Sequence, residues 1–410
     1  VDEPRLDLRR LIPGVYAPCL IYEIGVGALA PVLPLFAGRI GGGPGIGAAI
    51  VAILGVGTVV GDIPAGKLAA RFGDRRAMIV AATASVGAVS ACAAATHWVS
   101  LALGVFALGA LHAVFLLARQ AYLAEHIPPL KRARAMSSLG GVGRIGLLIG
   151  PFLGSAVIGT WGIRAVFWVA AGLSALVALV VFAVPDIAGP GAEASEERVS
   201  ARAIVRDHAR LFRTLGATIL ILGGVRAVRA TALPLWGEAI GLSDARVSLI
   251  FGLSGLMDAL FFYPSGRAMD RHGRMWVAIP SVGTMAVCLL ALPVTSTELA
   301  YVAVSLAIGL GNSMGAGIVM TLGADLAPAR IRAQFLGVWR LLNDAGGAAF
   351  PLVVSAGAAL GSLGLGIGLV GVSGLLAAGG FAVWLPQFTV HANHTTRRAA
   401  GIEAPRDGPG

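Results

Sequence analysis

The 410-residue chain is 57% hydrophobic and 13% charged, with a mean hydropathy of +0.83. Soluble domains carry about 25% charged residues, so this composition cannot cover a water-facing surface, and a membrane protein is expected. The formal net charge of +10 does not point to nucleic acid, because the basic residues sit between apolar runs, where they act as topology signals and contacts for anionic lipid.

The first apolar run follows Arg9 and Arg10. It is too long for the core of a signal peptide and no cleavage site closes it, so it is expected to be a membrane helix. With about 20 apolar residues needed to cross a bilayer, twelve spans are predicted. They run over approximately 11–37, 46–66, 77–96, 99–122, 136–160 and 164–184, then 214–237, 247–266, 276–294, 299–323, 335–360 and 364–386. The expected architecture is an all-α membrane protein with a six-helix bundle over 1–184, a cytoplasmic linker over 185–213, a second six-helix bundle over 214–386 and a cytoplasmic tail over 387–410. The tail is polar and expected to be disordered. In the linker, Arg198, Arg202, Arg206 and Arg210 recur every four residues. On a helix they form one basic stripe suited to the anionic leaflet; the alternative is a solvated connector. Glycine, 58 of 410 residues, allows close helix approach in a membrane. Cys19, Cys92 and Cys288 have neither disulfide nor metal-site spacing and are expected as small packing residues.

Basic residues set the orientation. The connections after spans 2, 4, 8 and 10 hold Lys67, Arg71, Arg75 and Arg76; Lys131, Arg132 and Arg134; Arg267, Arg271 and Arg274; and Arg330 and Arg332. The opposite connections offer Arg39, Arg164 and Arg246. The rich side and both termini are therefore expected in the cytoplasm.

A shift of 200 residues superposes the halves without gaps. Leu33, Pro34 and Leu35 fall on Leu233, Pro234 and Leu235; Pro64, Gly66 and Gly73 on Pro264, Gly266 and Gly273; Ala124, Pro128 and Arg132 on Ala324, Pro328 and Arg332; Gly146 and Pro151 on Gly346 and Pro351. One offset through four separated motifs implies two bundles related by an axis along the membrane normal, with a pathway between them.

At the cytoplasmic end of span 8 stand Gly266, Asp270, Arg271, Gly273 and Arg274; a second copy after span 2 holds Gly66, Arg71, Gly73, Asp74, Arg75 and Arg76. These residues resemble the signature loop of the major facilitator superfamily, and the span count and repeat extend the resemblance over nearly the whole chain. The resemblance implies a loop that latches a cytoplasmic gate through charge pairs and a helix end. Ala70 replaces the usual acid in the first copy, where Asp62 or Asp74 is the alternative. On span 5, Gly146, Gly150, Pro151 and Gly154 look like the antiporter motif of the twelve-helix drug/proton exchangers. Physically, small residues four apart give one smooth helix face, and proline bends it. That exchanger group also carries an arginine mid-way along helix 4; here Val105 occupies the position and Arg119 lies nearer the cytoplasm, so the role is not carried over to it.

Ionisable residues inside a membrane are costly and usually functional. Glu23 on span 1 and Asp258 on span 8 are candidates for proton coupling. Arg226 and Arg229, one turn apart on span 7, His112 and Arg119 on span 4, and Arg144, Arg340 and Asp344 on spans 5 and 11 are candidates for the substrate pathway. Glu23 or Asp258 is the expected partner of the two span 7 arginines. For Arg144 and Asp344 structural pairing is favoured, and for His112 an ordinary polar contact.

Two motif matches carry nothing. Gly61, Gly66 and Lys67 mimic a phosphate loop, but Leu68 stands where Ser or Thr is required; Gly366, Gly368 and Gly371 mimic a dinucleotide fingerprint inside an apolar helix. No ATP-driven engine, nucleophile, acid/base cluster or metal-ligand set is visible, so neither an enzyme nor a cofactor is expected.

The resulting expectation is a monomeric, multi-pass transporter of the cell inner membrane. It would export small organic molecules, drugs among them, in exchange for protons, by alternating access around a site between spans 1, 4, 5, 7, 8 and 11. Its partners would be a small-molecule substrate, protons and membrane lipids. One alternative is proton-coupled uptake of a small anionic metabolite, which the span 7 arginines favour and the antiporter-like motif opposes. Another is a non-transporting membrane receptor or scaffold, which could dispense with midplane charges. The arginines also suggest a neutral or anionic substrate rather than a lipophilic cation.

Overall fold

Apolar segments with no water to solvate their backbone must close hydrogen bonds internally, so helices are the expected outcome. A computed structural model describes residues 12–127, 129–184, 200–315 and 317–399; helix accounts for nearly all of them, and no strand occurs among the described residues. In chain order the helices are α1 (Ala17–Gly41), α2 (Pro44–Phe72), α3 (Asp74–Ala94), α4 (Trp98–His126), α5 (Pro129–Trp161) and α6 (Ile163–Ala183). A short α7 (Ala201–Asp207) leads to α8 (Ala217–Ala239), α9 (Asp244–His272), α10 (Met275–Ala291), α11 (Glu298–Met314), α12 (Ile318–Leu326), α13 (Arg332–Ala359), α14 (Leu363–Phe388) and α15 (His394–Ala399). Among the described residues, eleven segments are long and apolar enough to cross a membrane. The remaining predicted span is α13, long enough at 28 residues but made more polar by Arg340, Asn343 and Asp344.

The halves repeat their local devices at the offset of 200 residues. Gly73, between α2 and α3, has φ +83, and Gly273, between α9 and α10, has φ +102. This left-handed conformation is open to glycine at little cost and lets one or two residues join two helices. Single π-helical turns at Ile12–Tyr16 and Phe212–Gly216 precede the first long helix of each half. Polar N-caps recur where helices begin outside the apolar runs: Thr297 accepts from Ala300 N, and Ser362 from Leu365 N.

Two compact units result, Val1–Ser195 with Gly237–Gly252, and Glu196–Trp236 with Leu253–Gly410. In the first, α1 packs closely against α5 and α6, and α4 against α2 and α3. Gly237–Gly252 is tied into this unit by Arg39, which grips both oxygens of Asp244, with Nη1 2.6 Å from Oδ2. Ser155 Oγ donates to Ala245 O and Ser248 Oγ to Pro151 O, both at 2.8 Å. In the second unit α10 packs on α14 and α11, and α13 on α14.

Predicted span 10 is a crossing segment, Glu298–Leu326, in which α11 ends at Met314 and α12 begins at Ile318. Two expectations change. The linker does not carry one continuous arginine stripe. Arg198 lies outside the described residues; α7 carries Arg202 and Arg206, buries Ile204 and ends at Asp207, and Arg210 follows on a separate helical turn, Ala209–Leu211, beyond the break at His208. The tail is ordered through α15 rather than disordered. His391 O and Ala392 O accept from Arg274 N and Met275 N, both at 3.0 Å, so the tail satisfies the first amides of α10.

Candidate functional site

In the first unit the candidate site grows from the packing of α1 on α5. A side chain added at Gly146 would place its Cβ 2.7 Å from Glu23 Cβ and from Leu20 O; one at Gly27 would meet Leu147 O at 2.7 Å. Gly150 and Gly154 continue the same face against Ala28. The glycines thus bring the helix backbones together at the depth of Glu23, and burial to 4% exposure follows.

Glu23 faces Arg119 on α4. Arg119 Nη1 lies 3.0 Å from Glu23 Oε1 and 2.7 Å from Cys19 Sγ. The Arg119 side chain is 7% exposed, and its Nε is buried without a hydrogen-bond partner among the described residues. Tyr22, next to Glu23, stacks on Phe115 at 4.2 Å and on His112 at 5.7 Å, and its hydroxyl lies 3.4 Å from Ser85 Oγ. His112 is therefore beside the pair, in an aromatic stack. Two ions removed from water are tolerable only while they neutralise each other. Removing the charge of either member would leave the other away from water without its counter-ion.

The second unit holds a separate cluster. Asn312 on α11 bridges opposite charges: its Oδ1 accepts from Arg226 Nε at 2.9 Å, and its Nδ2 donates to Asp258 Oδ2 at 2.8 Å. Arg226 Nη1 donates to Gly315 O at 3.3 Å, and Arg229 Nη1 lies 3.9 Å from Asp258 Oδ2. Ser313 Oγ donates to Asp258 O at 2.8 Å. Of the two acids expected opposite the arginines, Asp258 stands in this cluster, and Glu23 pairs with Arg119. On α13, Asp344 pairs with Arg340 at 3.3 Å, one turn away, and accepts from Asn343 at 3.1 Å. Arg144 on α5 also engages other groups of the protein.

The two signature loops differ in construction. In the second copy Arg274 holds both Asp270 at 3.1 Å and Asp325, at the end of α12, at 3.0 Å. Gly273 carries no side chain where the tail crosses, since a Cβ there would stand 2.7 Å from Ala392 O; Arg271 makes further contacts and Gly266 has open space around it. In the first copy Arg75 caps a helix end instead. Its guanidinium donates to Val181 O at 3.2 Å, to Phe182 O at 3.0 Å and to Val184 O. Arg71 and Asp74 engage other groups, as does Asp62.

Asn312, Asp325 and the Cys19 contact with Arg119 went unread in the sequence. Asn312 had a signal, an amide inside an apolar span. Cys19 had none, because a buried thiol looks like any small packing residue.

The family model for the Major Facilitator Superfamily matches residues 19–351 and 215–405. Among curated proteins, the multidrug resistance protein MdtG of Salmonella arizonae and that of Salmonella newport are each 32% identical over 169 residues, 40% of this chain. The match spans 42% of the length of those relatives. Among solved structures, an auto-inhibited peptide transporter of the POT family superposes with a TM-score of 0.74 at 11% identity, over 94% of this chain and 98% of that one. An inward-facing bacterial homologue of the human lysosomal transporter Spinster gives 0.71 at 15% identity, over 94% and 98%. A D-xylose–proton symporter gives 0.66 at 16% identity, over 93% and 98%. At these identities the structural likeness concerns the fold.

Proposed function

Because this chain belongs to the major facilitator superfamily, we propose that it is a proton-coupled secondary transporter that exports small organic molecules by alternating access. The observation that carries this reading is the buried Glu23–Arg119 pair, 3.0 Å apart on neighbouring helices of the first unit. A carboxylate in this setting holds a proton or a counter-ion, not both, and each choice favours a different arrangement of the helices around it. Proton arrival at Glu23 frees the Arg119 charge; departure restores the pair. Substrate and proton then compete for one conformational equilibrium.

The antiporter-like glycine face supports exchange rather than symport, and it has a mechanical role in seating Glu23. The partial likeness to multidrug resistance proteins supports export of varied organic compounds. The basic loops support a multi-pass protein of the inner membrane with those loops in the cytoplasm. Uptake of an anionic metabolite is the second reading, favoured by Arg226 and Arg229.

Proteoliposomes with imposed pH gradients and a substrate panel provide the test. Gradient-driven flux is expected in the parent and not in Glu23→Gln, with counterflow of unlabelled against labelled substrate retained in both. The sign of the gradient that drives accumulation separates exchange from symport. Full proton-driven flux in Glu23→Gln would remove Glu23 from the mechanism.

A further inference from the structure

We infer that the C-terminal segment 389–396 is the positioning element of the second signature loop: it holds the backbone at Arg274 so that this side chain ties the loop to α12. The value of that tie for transport rests on the proposed function, but the segment, the loop and α12 all belong to the second unit and stand on its geometry alone.

The start of α10 needs acceptors. The first amides of a helix have no partner within it, and the side chain of Arg274, which precedes Met275, caps none of them. At the offset of 200 residues Arg274 falls on Asp74, which opens α3 with an acid in its first turn. An acid suits the positive end of a helix dipole and an arginine does not. Arg274 N instead donates to His391 O and Met275 N to Ala392 O, both at 3.0 Å. Two tail carbonyls thus bring the negative ends of their dipoles to a helix whose first turn carries no acid.

The crossing is built from both sides. On the loop, Gly273 would place a Cβ 2.7 Å from Ala392 O and 2.9 Å from Asn393 Cα. Its counterpart Gly73 has nothing within 4 Å of the same atom among the described residues, so the contact belongs to the second copy. On the tail, Thr396 N donates to Asn393 Oδ1 at 2.9 Å, and Asn393 N to Thr396 Oγ1 at 3.1 Å. This is the two-way closure of a capping box. Thr396 Oγ1 also donates to Val390 O at 2.9 Å, which closes 390–396 into a loop whose Ala392 is buried. From that loop Asn393 Nδ2 reaches Met275 Sδ at 3.4 Å.

Strap and loop meet at Arg274. Its amide is held by the tail, while its guanidinium reaches Asp270 through Nη1 and Asp325, near the end of α12, through Nε. Backbone conformation decides which rotamers a side chain can take, so fixing the backbone here favours the Arg274–Asp325 contact. By linkage that contact favours docking of the segment to the same degree. Asn393 and Thr396 act on the acids through Arg274, as positioning residues.

The test is hydrogen exchange of the purified full chain, read at two places: the amides of Arg274 and Met275, which report the strap, and α12, which reports the tie. Asn393→Ala and Thr396→Val are each expected to speed exchange at both places about five-fold or more, the scale of a lost helix cap. Asn393→Asp keeps the side-chain acceptor and is expected to stay near the parent. Asp325→Asn is expected to loosen α12 and, by linkage, to speed exchange at Arg274 and Met275. Adding Asn393→Ala to Asp325→Asn is expected to free those two amides further and to leave α12 where Asp325→Asn put it, a non-additivity that general destabilisation does not produce. A melting curve identifies any variant that does not fold; if neither Asn393→Ala nor Thr396→Val folds, the Arg274 and Met275 amides in Asp325→Asn decide, and no change there overturns the inference. Faster exchange at those amides with α12 unchanged would reduce the segment to a helix cap and overturn it, as would unchanged exchange at both places in the folded tail variants. Loosened α12 in the tail variants, with no gradient-driven flux by the parent in proteoliposomes, would retain the strap and reject the transport reading. Gradient-driven flux with α12 unmoved would do the reverse.

Discussion

At the scale of single residues, Glu23 and Arg119 form the pair with most at stake. Removing one member of a buried ion pair strands the other and typically costs about 3–5 kcal/mol, whereas removing both costs far less. Glu23→Gln and Arg119→Gln are therefore each expected to lower the melting temperature in detergent, and the double variant to recover much of the loss. Equal losses that simply add would show that the two side chains do not depend on each other. Glu23 was legible in the sequence because a carboxylate at membrane depth is conspicuous. Its partner was not. Spacing along α4 tells which residues share a face, but not which face of α4 meets α1 or at what height. The sequence keeps Arg119 as a substrate-pathway candidate without the helix 4 role of the exchangers, and it offers Arg226 and Arg229 as the residues opposite Glu23. Asn312 illustrates the complementary case: the sequence showed an odd residue, and only the fold showed the two charges it links.

Between helices, the glycine face of α5 carries the clearest prediction. Gly146→Ala adds a Cβ at 2.7 Å from Glu23 Cβ and from the Leu20 carbonyl, inside the range where backbone must shift. Overpacking of this kind costs about 1–3 kcal/mol. Gly140, on the same helix, has nothing within 4 Å of the added atom, so Gly140→Ala is expected to be neutral or to stabilise by up to about 1 kcal/mol through helix propensity. Thermal melting of the two variants side by side checks this, and equal behaviour would remove the close-packing account. The sequence made the small-residue face of α5 legible; the structure adds that its purpose is to seat Glu23. The signature loop yields a second comparison. Asp270, near the end of α9, is 75% exposed at its side chain and reaches Arg274 four residues on, across the Gly273 turn, whereas Asp325, 17% exposed at its side chain, ties Arg274 to α12. Pairs with an exposed partner contribute about 0.2–1 kcal/mol. Asp325→Asn is thus expected to lower stability and loosen α12 more than Asp270→Asn does, read by melting and by hydrogen exchange of α12. A larger effect from Asp270→Asn would place the latch within the motif, as the family resemblance alone suggests.

For the whole molecule, the distribution of arginine is the ground for expecting one orientation in the membrane, and the structure gives several of those residues their partners. The connections opposite the basic loops hold Arg39, Arg164 and Arg246. Arg39 is neutralised by Asp244 and lies 3.4 Å from Glu238. Arg164 donates to Ala95 O at 3.2 Å and sits 5.5 Å from the Phe36 ring centroid. On the basic side Arg274 is balanced likewise by Asp270 and Asp325, so the expected orientation rests on the larger number of basic residues in those loops. The repeat at 200 residues strengthens the inference, since loops at equivalent positions, such as those at Gly73 and Gly273, carry the same basic bias in both halves. Single cysteines introduced at Ala70 and Ala194 are expected to resist impermeant thiol reagents in intact cells and to react once the membrane is permeabilised. The three native cysteines are buried, so their background labelling should be low. A cysteine introduced at Trp161, at the end of α5 on the opposite side and 74% exposed, should react in intact cells. Labelling at Ala70 or Ala194 from outside, with protection at Trp161, would invert the topology and with it the direction assigned to proton-coupled export.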